Sequence, residues 1–231
     1  MSWREDAKRR AALKAIRHIK DGYFVGLGSG STVEYAIKEL GRIIKENKFA
    51  VRGISTSYHT TQLAIENNVP LTSLDEAPHP DIAIDGADQI DFKLNMIKGG
   101  GAALTREKIV DAAAKQLIII ADETKLTKKL GLKQHVPIEV LPFATPTVAK
   151  RLRELGGKPT VRVAKGKLGP LITDNGNFIL DIDFGTIKNA EQLENRLKKI
   201  PGIIETGLFI DMADIAYIGG RREVKVLKKK V

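Results

Sequence analysis

Four stretches of the sequence gather residue types suited to chemistry on a small anionic molecule. The first is Gly26-Leu27-Gly28-Ser29-Gly30-Ser31-Thr32, where glycines alternate with hydroxyls. It lies between an apolar run and a helical pattern. Glycines there let the backbone approach an anion, and the N–H groups of a helix start point at it. The stretch is not a dinucleotide fingerprint, because Ser31 stands where the last glycine of G-x-G-x-x-G belongs. The following strand ends in Ser55-Thr56-Ser57, with no acid to hold a ribose, and no lysine follows Gly30 as a Walker loop requires. A monophosphate fits better than a nucleotide; a capped helix behind a glycine-rich turn is the plain alternative.

The second stretch is Asp85-Gly86-Ala87-Asp88. Two carboxylates beyond a strand end can bind sugar hydroxyls, exchange protons or hold a cation. With Asp91 the spacing does not match an EF-hand loop, and no histidine is near in sequence, so a metal is not expected. Asp side chains stabilising a turn are the plain alternative. The third runs from Lys98-Gly99-Gly100-Gly101 to Glu107. Successive glycines display backbone N–H groups as an oxyanion site would, and Lys98 can neutralise a developing enediolate. Glu107 falls in the first turn of the next helix, where a carboxylate is favoured even without a catalytic role. The fourth is Asp122-Glu123-Thr124-Lys125, whose lysine can reach a phosphate or simply be solvated. The histidines (His18, His59, His79, His135) are scattered, and only His59 lies near an expected strand end.

The elements that must position these groups alternate along the first half. Arg4 to Ile19 reads as an amphipathic helix, Tyr23 to Leu27 as a buried strand, and Ser31 as a helix start with a capping box to Glu34. Ala50–Ser55, Asp81–Asp85 and Gln116–Ala121 read as further strands, with helices over Thr60–Asn67 and Thr105–Lys115. Such alternation implies an α/β fold, a mostly parallel sheet with helices on both faces. After Leu132 the texture changes. Strands at Ile138–Leu141, Pro159–Val163, Phe178–Asp181 and Ile203–Phe209 accompany helices at Pro146–Leu155 and Glu191–Lys199. An Asn-Gly hairpin is expected between Leu171–Thr173 and Phe178–Asp181. This order is the βαββαβ of a small α+β domain. Ala213–Ile218 and Val224–Val226 are expected to return to the first sheet.

The 231 residues suffice for one large domain carrying a smaller one, and 42% hydrophobic against 29% charged residues argue against disorder. The absence of cysteine removes disulfides, thiolate metal sites and cysteine nucleophiles. No apolar signal segment or membrane span is legible, so a cytoplasmic location is expected. The net charge is +10, but Arg221–Lys230 alone holds six cations and one carboxylate. A solvated terminal run explains that excess better than nucleic-acid binding, which would also want more aromatics than the 5% present.

Together, GLGSGST, DGADQID, MIKGGGAALTREKIV, IIIADETK and PIEVLPFA resemble ribose-5-phosphate isomerase of the A type, in order, from about residue 8 to 227. The resemblance implies interconversion of ribose 5-phosphate and ribulose 5-phosphate through a cis-enediolate without metal or cofactor. It implies a Rossmann-like, doubly wound, mostly parallel domain (1–131 with 206–231) and a smaller ferredoxin-like α+β domain (132–205), in a homodimer or homotetramer. By it, Ser29, Gly30, Ser31, Thr32, Asp85, Gly86, Ala87, Asp88, Lys98, Gly99, Gly100, Gly101 and Lys125 would line the substrate site. Glu107 would accept the proton, with a pKa raised toward neutrality, while Asp85, Asp88 and Lys98 would assist ring opening and hold the intermediate. Gly219-Gly220-Arg221-Arg222-Glu223 departs from the family's usual Gly-Thr-Pro-Asp-Gly-like turn. A sugar-phosphate-binding regulator without turnover is the alternative, though it gives no reason to keep Lys98, Asp88 and Glu107 together.

Overall fold

The computed structural model describes residues 2–166 and 168–229. Lys230, counted above in the basic run, lies outside the described residues. The elements are α1 (Trp3–Ile16), β1 (Phe24–Leu27), α2 (Val33–Asn47), β2 (Arg52–Ser55), α3 (Tyr58–Glu66), β3 (Ile82–Asp85), β4 (Gln89–Ile90), β5 (Met96–Ile97), α4 (Leu104–Ala113), β6 (Leu117–Asp122), β7 (Val136–Val140), α5 (Thr145–Glu154), β8 (Lys158–Val161), β9 (Phe178–Asp183), α6 (Ala190–Leu197), β10 (Ile203–Thr206), β11 (Leu208–Phe209), β12 (Ile215–Gly219) and β13 (Val224–Lys228).

They fall into two compact units. One takes the chain up to residue 87, then 106–126 and 212 onward; the other takes 88–105 and 127–211. Residues 88–105, 127–131 and 206–211, expected with the larger unit, group with the smaller. The reason for 88–105 is strand pairing. β4 pairs with β5 and β5 with β11 in a three-stranded sheet of their own.

The larger unit is built on a six-stranded sheet of order β13-β12-β6-β3-β1-β2, parallel except for β13. Every residue of β3 and β6 is buried, as a parallel sheet covered on both faces requires. The sheet grows to one side from β1 to β2 and to the other from β3 to β6. The loops after β1 and β3 therefore flank the switch point, where ligands of open α/β sheets bind. α1 is capped by Ser2, whose Oγ accepts the Glu5 N–H at 3.4 Å. Its buried alanines 7, 11, 12 and 15 let it lie close to the sheet; a Cβ at Gly219 would stand 2.1 Å from the Ala7 carbonyl oxygen. The expected Ser31–Glu34 capping box does not form. α2 starts at Val33 behind Thr32, and the Glu34 N–H donates to the Gly30 carbonyl at 3.1 Å instead.

The smaller unit carries an antiparallel sheet of order β10-β7-β9-β8, with the βαββαβ succession of the ferredoxin-like split. Val136, Ile138 and Val140 alternate along β7 and join Leu180, Ile182, Val148, Leu152 and Leu197 in one core. The expected hairpin is reduced to a bridge between Ile172 and Phe178 closed by Thr173–Asn177, since β9 pairs with β7 and β8. The run Ile203–Phe209 is also split. Gly207, whose Cβ would lie 2.3 Å from the Lys98 carbonyl oxygen, hands the chain from β7 to β5.

Candidate active site

In the larger unit, four sheet strands deliver polar groups at their C-terminal ends. After β1 the Gly28 N–H donates to the Ile84 carbonyl at 3.0 Å, and the Ser29 N–H to Asp85 Oδ1 at 3.2 Å. Asp85, at the end of β3, is wholly buried, and its Oδ1 also accepts the Gly86 N–H at 2.6 Å. One carboxylate thus ties the first glycine-rich loop to the second. Gly30 has φ +107°, the left-handed region that favours glycine, and lets the chain turn into α2.

Ser29 sits within a cluster of hydroxyls. Its Oγ lies 3.0 Å from Thr56 Oγ1, 2.8 Å from Ser57 Oγ and 3.0 Å from Thr60 Oγ1. A hydroxyl carries one proton, so Ser29 donates to only one of these neighbours. Thr56 and Thr60 pass their own protons to the carbonyls of Leu27 and Gly28, at 3.0 and 2.9 Å. This buried hydroxyl cluster, from the end of β2 and the start of α3, braces the loop from behind. In the sequence, Ser55-Thr56-Ser57 stands out for lacking an acid, while its hydroxyl density is the signal for this bracing role.

Ser31 shows a second missed group. Its Oγ accepts from Lys8 Nζ at 2.9 Å, and Lys8 also pairs with Glu5 at 2.8 Å. Glu5 in turn accepts the Tyr35 hydroxyl at 2.6 Å, and the bonds from Lys8 and Tyr35 hold its carboxyl below the ordinary carboxylate range. A cation is therefore stationed beside the hydroxyl loop.

Lys125 follows β6, the neighbour of β3, in a short 3-10 turn capped by Asp122, whose Oδ1 accepts the Thr124 N–H at 3.0 Å. Glu107 is in the first turn of α4 and only 5% exposed. Val110, on the same helical side three residues later, fixes the rotation of α4. It fits against the sheet where Gly26 has no side chain; a Cβ there would lie 2.7 Å from Val110 Cγ1. His59 is exposed on α3.

In the smaller unit, β5 runs straight into Lys98, which is 2% exposed, with its Nζ 5.3 Å from the centre of the Phe209 ring. The Asp88 N–H donates to the Ile97 carbonyl at 2.9 Å. Gly99 has φ +106°, and a turn closes from the Ala102 N–H to the Gly99 carbonyl at 3.0 Å. The Gly100 N–H is committed to Asp88 Oδ2 at 2.6 Å, so this member of the glycine run orients a carboxylate rather than standing on display. A Cβ at Gly100 would lie 2.8 Å from Asp88 Oδ1.

Thr105 and the wholly buried Glu139 form a third group in this unit. Thr105 donates its hydroxyl to Glu139 Oε2, while Thr173 and Asn177 donate to Oε1, each at 2.8 Å, and Asn175 at 3.1 Å. Glu139 points away from the Val136–Ile138–Val140 face of β7, toward the Asn-Gly turn. The motifs PIEVLPFA and Asp174–Asn177 thus meet at a buried carboxylate served by neutral donors. Among the described residues, no group of three or more His, Cys, Asp or Glu side chains is arranged to hold a metal, and no helix is long and apolar enough to cross a membrane.

Comparison with known proteins gives one consistent result. The family profile described as Ribose 5-phosphate isomerase A (phosphoriboisomerase A) matches residues 52–223. The ribose-5-phosphate isomerase A of Methanosarcina acetivorans is 52% identical over 214 residues, covering 93% of this chain and 90% of that protein. The solved ribose 5-phosphate isomerase A of Methanocaldococcus jannaschii superposes with a TM-score of 0.94 at 45% identity, over 97% of this chain and 99% of that one. A D-ribose-5-phosphate isomerase in complex with phospho-erythronic acid superposes with a TM-score of 0.96 at 44% identity, over 99% of this chain and 100% of that one. Matches of this extent, on a chain with the expected parallel sheet and its antiparallel companions, show that it belongs to the ribose 5-phosphate isomerase A family.

Proposed function

We propose that this chain interconverts D-ribose 5-phosphate and D-ribulose 5-phosphate through a cis-enediolate. The observation that carries the reading is the relative bound to phospho-erythronic acid, 44% identical over 99% of this chain. That ligand is a phosphorylated sugar acid whose planar carboxylate imitates an enediolate.

The residue roles follow from the chemistry. Ser31, Thr32, Lys8 and Lys125 take the phosphate, with the loop braced by Ser29. Asp88 assists opening of the furanose: a proton leaves the anomeric hydroxyl, one is delivered to the ring oxygen, and the C1–O4 bond breaks. Glu107 removes the C2 proton of the open aldose and returns it at C1. Lys98 and the N–H groups of the glycine loop meet the negative charge that develops only along the reaction path, which is where stabilisation raises turnover. Asp85 keeps the two loops after β1 and β3 in register. The larger unit is read as Rossmann-like, and the smaller unit, which carries Asp88 and Lys98, as built around a ferredoxin-like fold.

The test is isomerisation of ribose 5-phosphate by chelator-treated protein in D2O, followed by NMR. Conversion with solvent deuterium entering the transferred position is the expected result. No conversion, with the sugar phosphate still stabilising the fold against heat, would overturn it. The same reading includes a cytoplasmic location and a homodimer or homotetramer. The 92%-exposed Phe143 supplies apolar surface for association, and sedimentation velocity decides the oligomer.

A further inference from the structure

Arg162, at the end of β8, plays no part in the reaction described so far, yet it holds the glycine loop. Its backbone is fixed on both sides: its N–H donates to the Ile179 carbonyl and its carbonyl accepts from Leu171, at 2.9 and 2.8 Å. The guanidinium is gripped by Asp181 of β9, with Nε 2.8 Å from Oδ2 and Nη2 2.5 Å from Oδ1. This fork-to-fork pairing fixes the plane of the group as well as its position. The remaining nitrogen, Nη1, donates to the Gly99 carbonyl at 2.8 Å and the Gly100 carbonyl at 3.1 Å.

The Gly99 carbonyl and the Gly100 N–H are opposite edges of one planar peptide group. That N–H is the donor to Asp88 Oδ2 at 2.6 Å. The peptide is therefore pinned at one edge by Arg162 and spends its other edge on Asp88. A cationic donor on the carbonyl also polarises the amide and strengthens the bond its N–H makes. Glycine at 99 and 100 leaves this loop little stiffness of its own, so an external clamp is needed to hold one carboxylate geometry.

We infer that Arg162, oriented by Asp181, is a positioning residue for Asp88. Acting through the Gly99–Gly100 peptide, it commits Oδ2 and presents Oδ1 to the sugar for ring opening. The inference rests on the reading of Asp88 as the ring-opening group.

The test separates ring opening from enediolate chemistry in the full-length protein. Conversion of ribose 5-phosphate requires the furanose to open. Exchange of the C1 hydrogen of ribulose 5-phosphate with D2O does not, because with its C5 oxygen phosphorylated the ketose cannot close a furanose. In Arg162→Ala the ratio of conversion to exchange should fall about tenfold or more, the scale of a misplaced catalytic group. Arg162→Lys, which keeps the charge but loses the fork, should restore only part of it. Asp181→Asn gives the same readout if Arg162→Ala does not fold. An equal fall in both reactions, or no fall in either, overturns the proposal. Asp88→Asn is the control: if it shows the split and the Arg162 variants do not, only the clamp is wrong. If Asp88→Asn shows no split, the ring-opening assignment fails and the clamp with it.

Discussion

Gly28 and Asp85 stand so close that a Cβ on Gly28 would lie 2.0 Å from Asp85 Oδ1. Asp85 has no room to retreat, being wholly buried at the end of β3. Gly28→Ala must therefore displace either the carboxylate or the loop. We expect a destabilisation of about 1–3 kcal/mol, typical of overpacking, together with loss of most isomerase activity. Thermal melting and turnover of the same preparation check both.

Glu107→Gln should leave the melting temperature and substrate-induced stabilisation nearly unchanged. Turnover should fall by about two to four orders of magnitude, the share of a general base. A fully active variant would remove Glu107 from the mechanism.

Lys8→Ala removes the cation that touches Ser31 Oγ. Losing a charged contact to phosphate, worth about 1.5–3 kcal/mol, should raise KM roughly tenfold or more while kcat changes less. The residual affinity should also depend less on salt. Initial rates across substrate concentration at two ionic strengths decide it.

Glu139→Gln places an amide among four donors that the carboxylate now accepts. At least one donor then loses its acceptor. The expected cost is about 1–3 kcal/mol of stability, read as a melting temperature several degrees lower. An unchanged melt would show that the cluster relaxes without penalty.

His18 gives a pH dependence. Burial, and then the nearby charge of Lys228, hold its pKa below the ordinary imidazole value, and its Nε2 sits 2.7 Å from the Tyr217 hydroxyl. The folded state thus favours the neutral ring. The stability is fully present above the unfolded-state pKa of about 6.5 and is lost as pH falls from there through the lowered folded value. Melting curves between pH 8 and 5 should show a decline that His18→Gln flattens. An identical decline in that variant would place its origin elsewhere.

Much of this was legible from local pattern. The apolar runs ending in glycine, serine or aspartate gave the parallel strands and put Gly28–Thr32, Asp85 and Lys125 at strand ends. What escaped depends on contacts distant in sequence. β4 and β5 are two residues each and gain meaning only through β11. Arg162 reads as an ordinary cation beside a strand until folding brings it to Gly99, 63 residues away. The capping box failed because the Glu34 N–H bonds the Gly30 carbonyl instead, and the Ser31 hydroxyl is met by Lys8 of α1, 23 residues earlier. Ser29 likewise matched the expected loop, but its hydroxyl proved to be spent on neighbours from β2 and α3.

The position of β12 has a consequence for synthesis. It lies between β6 and β13 in the sheet, yet the ribosome makes it only after the whole of residues 127–211. Until then β6, with six buried residues including three consecutive isoleucines, has one backbone edge open. An open apolar edge of this kind is a template for pairing with other chains. A product truncated before Ile215 should therefore aggregate, even though every residue assigned to the substrate site has already been made.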